Sequence, residues 1–286
     1  MTGDAKTAVV TGASSGVGLA GAIELARLGW NVIALGRNPE RSAEALTTIR
    51  GAATSGAKIE MIVGDLDLLA GTARMADGIL STTGKIDALI NNAGGVRNRR
   101  EITPEGNEAT FAGNYLGHFL LTKRLLPALR LGAQSGKARI VNVSSEGHRQ
   151  APEFDWADLQ GTNNWVSGRN YCLAKLCNLL FTFELARRLE ADGIVAHGMH
   201  PGEAATNFSS YAVPEMQAYI ASLETISPHV AGRTIAWLTA SDEAACTTGG
   251  YYFDRELVTP APSASNASDA ARLWTESQAL LARAGY

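Results

Sequence analysis

Short runs of β-branched and other apolar residues alternate along this chain with longer stretches in which apolar positions recur every three or four residues. The short runs are Thr7–Val10, Asn31–Leu35, Ile59–Val63, Ala88–Ile90, Arg139–Val143, Ile194–Met199 and Gly250–Phe253. They are apolar throughout rather than at every second position, the pattern of parallel strands covered on both faces. The stretches between them, among them Leu19–Leu28, Arg41–Ile49, Leu116–Leu131 and Leu173–Leu189, have helical spacing. This alternation predicts an α/β fold: a doubly wound, Rossmann-type parallel sheet of about seven strands, with right-handed crossovers and helices on both faces. Chemistry is then expected at the carboxyl edges of the strands. No internal repeat is visible, and the one biased stretch is the short Pro260–Ser268 segment.

Composition narrows the class. With 286 residues, 45% hydrophobic and 19% charged, the chain can bury a large core as one domain and is not expected to be disordered. A net charge of −3 provides no electrostatic footprint for nucleic acid or an anionic membrane, and the Arg97–Arg100 run is too short to change that. The three cysteines, Cys172, Cys177 and Cys246, lack a close pair or an adjacent histidine cluster. Buried free thiols in a reducing compartment are expected, not a disulfide framework or a zinc site. Met1–Lys6 is polar and runs straight into the first apolar run, so neither a signal peptide nor a membrane anchor is expected, and a cytoplasmic location is.

Directly after the first strand comes Thr11-Gly12-Ala13-Ser14-Ser15-Gly16-Val17-Gly18, opening into a helix. Glycines in that context let the backbone approach a pyrophosphate lying against the positive end of the helix. Gly12, Ser14, Ser15, Gly16, Val17 and Gly18 are therefore candidate cofactor-binding residues. The second strand ends Leu35-Gly36-Arg37-Asn38, without the carboxylate that binds a ribose 2′-hydroxyl in NAD-preferring folds. The forked guanidinium of Arg37 suits a 2′-phosphate, which favours NADP(H).

Four separated residues are candidates for one catalytic centre: Asn114 early in the helix after the fourth strand, Ser145 after the fifth, and Tyr171 and Lys175 one helical turn apart. Their chemistry suffices for hydride transfer coupled to proton transfer. The serine hydroxyl holds the substrate oxygen, the phenol gives or takes its proton, and the lysine ammonium favours phenolate.

With these residues in place the chain resembles the short-chain dehydrogenases/reductases, and within them the retinol-dehydrogenase-like branch. The glycine loop, Asn91-Asn92-Ala93-Gly94, Asn114-Tyr115-Leu116-Gly117-His118-Phe119, Ser144-Ser145, Tyr171/Lys175, His200-Pro201-Gly202 and the tail around Gly249–Phe253 and Leu273-Trp274 match in order. The resemblance implies one domain over 1–286, with a cofactor half at about 1–145 and a catalytic and substrate half at about 146–286. It implies that Asp65 and Leu66 meet the adenine, and that Asn91, Ala93 and Gly94 contact the cofactor near the ribose. Lys175 would hold the nicotinamide ribose with Tyr171 beside it. Pro201, Gly202 and Thr206 would border the carboxamide, and Asn114 would anchor a water behind Lys175. It also implies an insertion between Ser145 and Tyr171, here Glu146–Asn170 with Phe154, Trp156 and Trp165. His118, His148 and His200 fall in three segments without ligand spacing, so no metal is expected.

The expected reaction is NADP(H)-dependent reduction of a bulky hydrophobic ketone or aldehyde, or oxidation of the corresponding alcohol. Arg97 beside the fourth strand, together with Phe208, Tyr211 and Met216 in the apolar stretch after Thr206, are the candidate substrate contacts. The alternatives are a steroid or polycyclic alcohol dehydrogenase working oxidatively and a non-catalytic NADP(H)-sensing regulator. Family habit suggests a homodimer.

Overall fold

The structure is a computed structural model that describes residues 5–54, 56–204, 217–218, 222 and 225–286. The chain runs β1 (Thr7–Thr11), α1 (Gly16–Arg27), β2 (Asn31–Gly36), α2 (Pro39–Ala52), β3 (Ile59–Val63), α3 (Leu69–Thr82) and β4 (Ala88–Asn91). A single turn, α4 (Ala109–Phe111), leads through a π-helical segment, Ala112–Leu116, into α5 (Gly117–Ala133). Then follow β5 (Ala138–Val143), α6 (Ser167–Leu189), β6 (Ile194–Met199), α7 (Pro228–Ala240), the short α8 (Asp242–Ala245), β7 (Tyr251–Phe253), β8 (Glu256–Leu257) and α9 (Ala267–Arg283).

Among the described residues the strands form one sheet in the order β3-β2-β1-β4-β5-β6-β7-β8. Every pairing from β3 to β7 is parallel; β7 and β8 are antiparallel. The expected seven strands are all present, and β8 is an eighth. Its two exposed residues show no apolar run to detect, and Asp254 and Arg255, both at positive φ, turn the chain back into it.

The unbroken apolar runs have the cause expected of them. Along β1 and β2, Val9, Ile33 and Leu35 join the core on one face, while Ala8, Val10, Val32 and Ala34 join the core on the other. The first face is covered by α3, α5, α6 and α9, the second by α1, α2 and α7. Helix starts follow local chemistry. The Asn38 side chain accepts from the Arg41 N–H ahead of Pro39 in α2, and Asn266 caps α9 through Ser268 and Asp269. The biased Pro260–Ser268 segment is thus the run-in to a helix: one 3-10 turn and a cap.

Of the cysteines, all free, Cys177 is buried, Cys172 half-buried and Cys246 exposed, so the expectation of burial fails for the last. Cys246 closes the four-residue α8 at the surface, where its thiol donates to the Asp242 carbonyl at 3.3 Å. Among the described residues no helix is long and apolar enough to cross a membrane, and no group of side chains is arranged to hold a metal ion.

Candidate active site

At the carboxyl edge of β1 the backbone turns through Gly12 (φ +67°) and Gly16 (φ +56°) into α1. A Cβ on Gly12 would lie 2.9 Å from the Ala93 Cα, so only glycine lets the loop settle against the segment after β4. That segment is fastened by Thr11, whose Oγ1 accepts from the N–H groups of Asn92 (2.8 Å) and Ala93 (2.9 Å). The Ser15 side chain does not cap α1. Ser14, Ser15, Gly16 and Val17 line an open cleft, so the first-turn N–H groups of α1 are available to an anion there. This cradle fits a dinucleotide pyrophosphate. Gly18 lies behind the cleft lining, packed against Gly12 and Asn92.

The cleft runs along the strand ends. At one end it is lined by Leu35, Gly36, Arg37, Asn38, Arg41, Gly64, Asp65, Leu66 and Asp67. Arg37 is half-exposed, 3.0 Å from an Asp67 carboxylate oxygen and 4.0 Å from Asp65. Asp67 also pairs with Arg97, which in turn reaches Glu101 at 3.5 Å. Burial is the largest influence on Asp67 and raises its pKa against the pull of Arg97 and Arg37. Arg99 pairs with Glu101. Arg97 therefore lines the cleft as expected, but its guanidinium is committed to two carboxylates rather than turned toward a substrate.

Asn91 differs from its expected place. It ends β4 with its side chain below the cleft, donating to Asn142 (2.8 Å) and Thr122 (3.0 Å), and it is Asn92 that lines the cavity beside Ala93 and Gly94. Strand alternation explains this: a residue still within β4 points into the core, and its successor escapes.

At the other end the four catalytic candidates converge. Ser144, Ser145, Tyr171, Lys175, Asn114, Pro201 and Gly202 all line the same cleft. Asn114 lies within the π-helical segment rather than early in a regular helix, a distortion common at functional positions. Its Oδ1 accepts from the Gly95 N–H (3.0 Å) while Nδ2 donates to the Gly95 and Thr110 carbonyls (3.0 and 2.8 Å). A Cβ on Gly94 would come within 2.3 Å of that Oδ1, so the approach demands glycine. The Asn114 carbonyl accepts from His118 Nδ1 at 3.1 Å. A carbonyl can only accept, so Nδ1 carries the ring proton, and Nε2 takes the Thr11 hydroxyl at 2.9 Å. Burial lowers the His118 pKa to about 4 and keeps the ring neutral. His118 thus ties the phosphate loop to Asn114.

Lys175 is buried, with Nζ donating to the Val143 carbonyl at 3.1 Å and lying 5.5 Å from the centre of the Tyr171 ring. Burial brings its pKa down to about 8. Ser144 donates to the Lys175 carbonyl at 2.8 Å and steadies the helix, leaving Ser145 to face the phenol. Ser145 hydrogen-bonds to Tyr171 and accepts from the Gly147 N–H at 3.0 Å. Burial pushes the Tyr171 phenol well above its ordinary value, and the bond to Ser145 only partly offsets this. The expected lowering by Lys175 is absent from the influences on the phenol, which is protonated at neutral pH.

The aromatic residues between Ser145 and Tyr171 serve packing. Phe154 stacks on Trp156 at 4.7 Å, Arg272 covers Trp156, and Trp165 donates to Glu108. His148 and His200 make hydrogen bonds and ring contacts around Tyr251 and Phe253. Thr206, Phe208, Tyr211 and Met216 lie outside the described residues. Three residues at the site were given no role by the sequence: Asp67, Glu203 and His118. Only His118 carried a readable signal, since it stands one helical turn after Asn114.

A model of the short chain dehydrogenase family matches residues 6–217. Retinol dehydrogenase 13 of Homo sapiens is 36% identical over 96% of this chain and 84% of its own length. A crystal structure of an uncharacterised protein from Mycobacterium paratuberculosis superposes with a TM-score of 0.75 at 32% identity, covering 96% of this chain and 92% of that one. An actinorhodin polyketide ketoreductase solved with NADPH has a TM-score of 0.67 at 25% identity, over 87% of this chain and 95% of its own. With the phosphate cradle and the Ser145, Tyr171 and Lys175 cluster on one cleft, these similarities establish the chain as a retinol-dehydrogenase-like member of the short chain dehydrogenases, oxidoreductases that use a nicotinamide cofactor.

Proposed function

We propose that this protein reduces a bulky, hydrophobic ketone or aldehyde with NADPH. The observation that carries the reading is the Tyr171 phenol, hydrogen-bonded to Ser145 and beside Lys175 at the end of the dinucleotide cleft. A carbonyl oxygen accepting from both hydroxyls would be polarised by Ser145 and receive its proton from Tyr171. Bound nicotinamide supplies the hydride. Lys175, held by the Val143 carbonyl, provides a cation beside the phenol to stabilise the phenolate left behind. Asn114 holds Gly95 and the strand-end loop with two hydrogen bonds and is braced by a third to the Thr110 carbonyl.

The phosphorylated cofactor is supported by Arg37 and Arg41 on the cleft wall and by the absence of a carboxylate at the tip of β2. Asp65 and Asp67 beside Arg37 temper this, since they compete for the same guanidinium. The curated relatives, named for retinol, support an apolar substrate. The test is a panel of ketones, aldehydes and alcohols assayed by nicotinamide absorbance with both cofactors. The expected result is faster turnover of apolar ketones or aldehydes with NADPH; activity confined to alcohols with NAD would overturn the proposal.

A further inference from the structure

Glu203 follows Pro201-Gly202 directly after β6, and it lines the cleft at the end that holds Ser145 and Tyr171. Its backbone is fixed: the Ile226 N–H donates to the Glu203 carbonyl at 3.0 Å, and Ala204 bridges to Ile226. The residue is exposed, and among the described residues no Lys or Arg forms an ion pair with its carboxylate. It acts on the Tyr171 phenol as a nearby negative charge, opposing ionisation.

The other charges near this end are already committed. Arg97 is bound by Asp67 and Glu101, and Arg99 by Glu101. Glu146 is paired with Arg149, and burial shifts His200 toward its neutral form. Lys175 is buried against the Val143 carbonyl. Arg97 and Arg99 are thus taken up, exposed Arg100 does not line the cleft, and among the described residues the open side-chain charge at the reactive end of the cleft is negative.

Resting on the reductase reading above, we propose that Glu203 sets substrate specificity, selecting carbonyl compounds that carry a protonated amine near the reacting group and disfavouring anionic ones. The ammonium donates to the carboxylate while the apolar body of the molecule occupies the cleft. An anionic analogue meets an unneutralised like charge.

The test uses three ketones of matched size, one neutral, one with a protonated amine and one with a carboxylate, assayed with NADPH in wild type, Glu203→Gln and Glu203→Lys. Each kcat/KM is referred to the neutral ketone in the same protein. Wild type should favour the aminated over the carboxylated ketone by about 10-fold, because attraction and repulsion at an exposed carboxylate each contribute about threefold. Glu203→Gln should bring that ratio near one, Glu203→Lys should invert it, and added salt should shrink it. The same ratios read as dissociation constants by calorimetry, on Tyr171→Phe protein loaded with NADPH, should follow the same order without relying on turnover. A charge ratio that survives Glu203→Gln overturns the proposal. So does a change confined to the relative binding of NADP+ and NADPH, which would assign the carboxylate to the nicotinamide. Failure of the neutral ketone to turn over, with the charge ratio intact in binding, would instead strike the reductase reading.

Discussion

The two ends of the cleft are built from different materials. At the end where the proposed NADPH would place its adenosine, half-exposed Arg37 shares Asp67 with Arg97, and the groups are held by ion pairs open to water. At the reactive end, Lys175, Asn114 and His118 are buried and fixed by hydrogen bonds to backbone carbonyls. Exposed pairs are weak and exchange partners readily, whereas buried groups cannot give up a hydrogen bond without a desolvation cost. The adenosine end is therefore adjustable, and the reactive end is preorganised. Substitutions should be graded accordingly.

The largest effect is expected from Tyr171→Phe. Loss of a positioned proton donor should lower kcat about 10²- to 10⁴-fold, while NADPH affinity, read by fluorescence titration, stays near that of wild type. Retention of more than about a tenth of kcat would require another acid at the reactive end.

Lys175 should show stability and function pulling apart. Burial lowers its pKa to about 8 from 10.5, so between those values the unfolded chain holds a proton that the folded chain does not. Stability of the cofactor-free protein should thus rise with pH across that window, and the full penalty should be in force below about 8. Activity should move the other way, declining above about 8 as the cation is lost. Lys175→Met should remove the pH-dependent penalty, roughly 3 kcal/mol at neutral pH, and abolish efficient turnover. Urea denaturation of both proteins across pH measures the first effect. Equal slopes in the two would mean that Lys175 is not the group titrating.

His118→Phe should leave the Asn114 carbonyl and the Thr11 hydroxyl without their ring partner. The expected loss is about 2 kcal/mol of stability, with a fall in kcat/KM because Asn114 shifts. Chemical denaturation and steady-state kinetics on the same preparation check it, and His118→Gln should recover part of both.

The smallest effects belong to the adenosine end. Arg37→Asp should erase an NADPH preference of about 10-fold, equivalent to about 1.4 kcal/mol. Asp67→Asn should release Arg37 and strengthen NADPH binding by about threefold at low salt, with the gain fading as ionic strength rises. A loss of NADPH affinity on Asp67→Asn would show that the carboxylate positions Arg37 rather than competing for it.

Much of this architecture is written in local pattern. The seven apolar runs became seven strands; in β1, β2, β4, β5 and β6 both faces are buried, which leaves a nearly continuous apolar trace in sequence, whereas the edge strand β3 exposes Glu60 and Val63. The two-residue β8 left none, being exposed and defined only by its pairing with β7. The glycine loop and the Tyr171/Lys175 pair were legible because each depends on short-range geometry, a tight turn in one and a helical repeat in the other. Asn91 was misplaced by one residue because the motif does not show where β4 stops.

Sequence alone determined which residue types are available and which neighbours share a turn or a helix face, since covalent geometry and helical periodicity act over a few residues. It thereby determined the order of strands and helices, the glycine loop and the candidate catalytic groups. Tertiary structure alone decided how those groups behave. Burial raises the Tyr171 phenol and keeps His118 neutral, Asp67 holds the Arg97 guanidinium, and Glu203 comes to lie on the cleft near Tyr171. Solvent exposure and charge partners are set by segments far apart in the chain, and both control the free energy of a charge more strongly than the residue's own chemistry does.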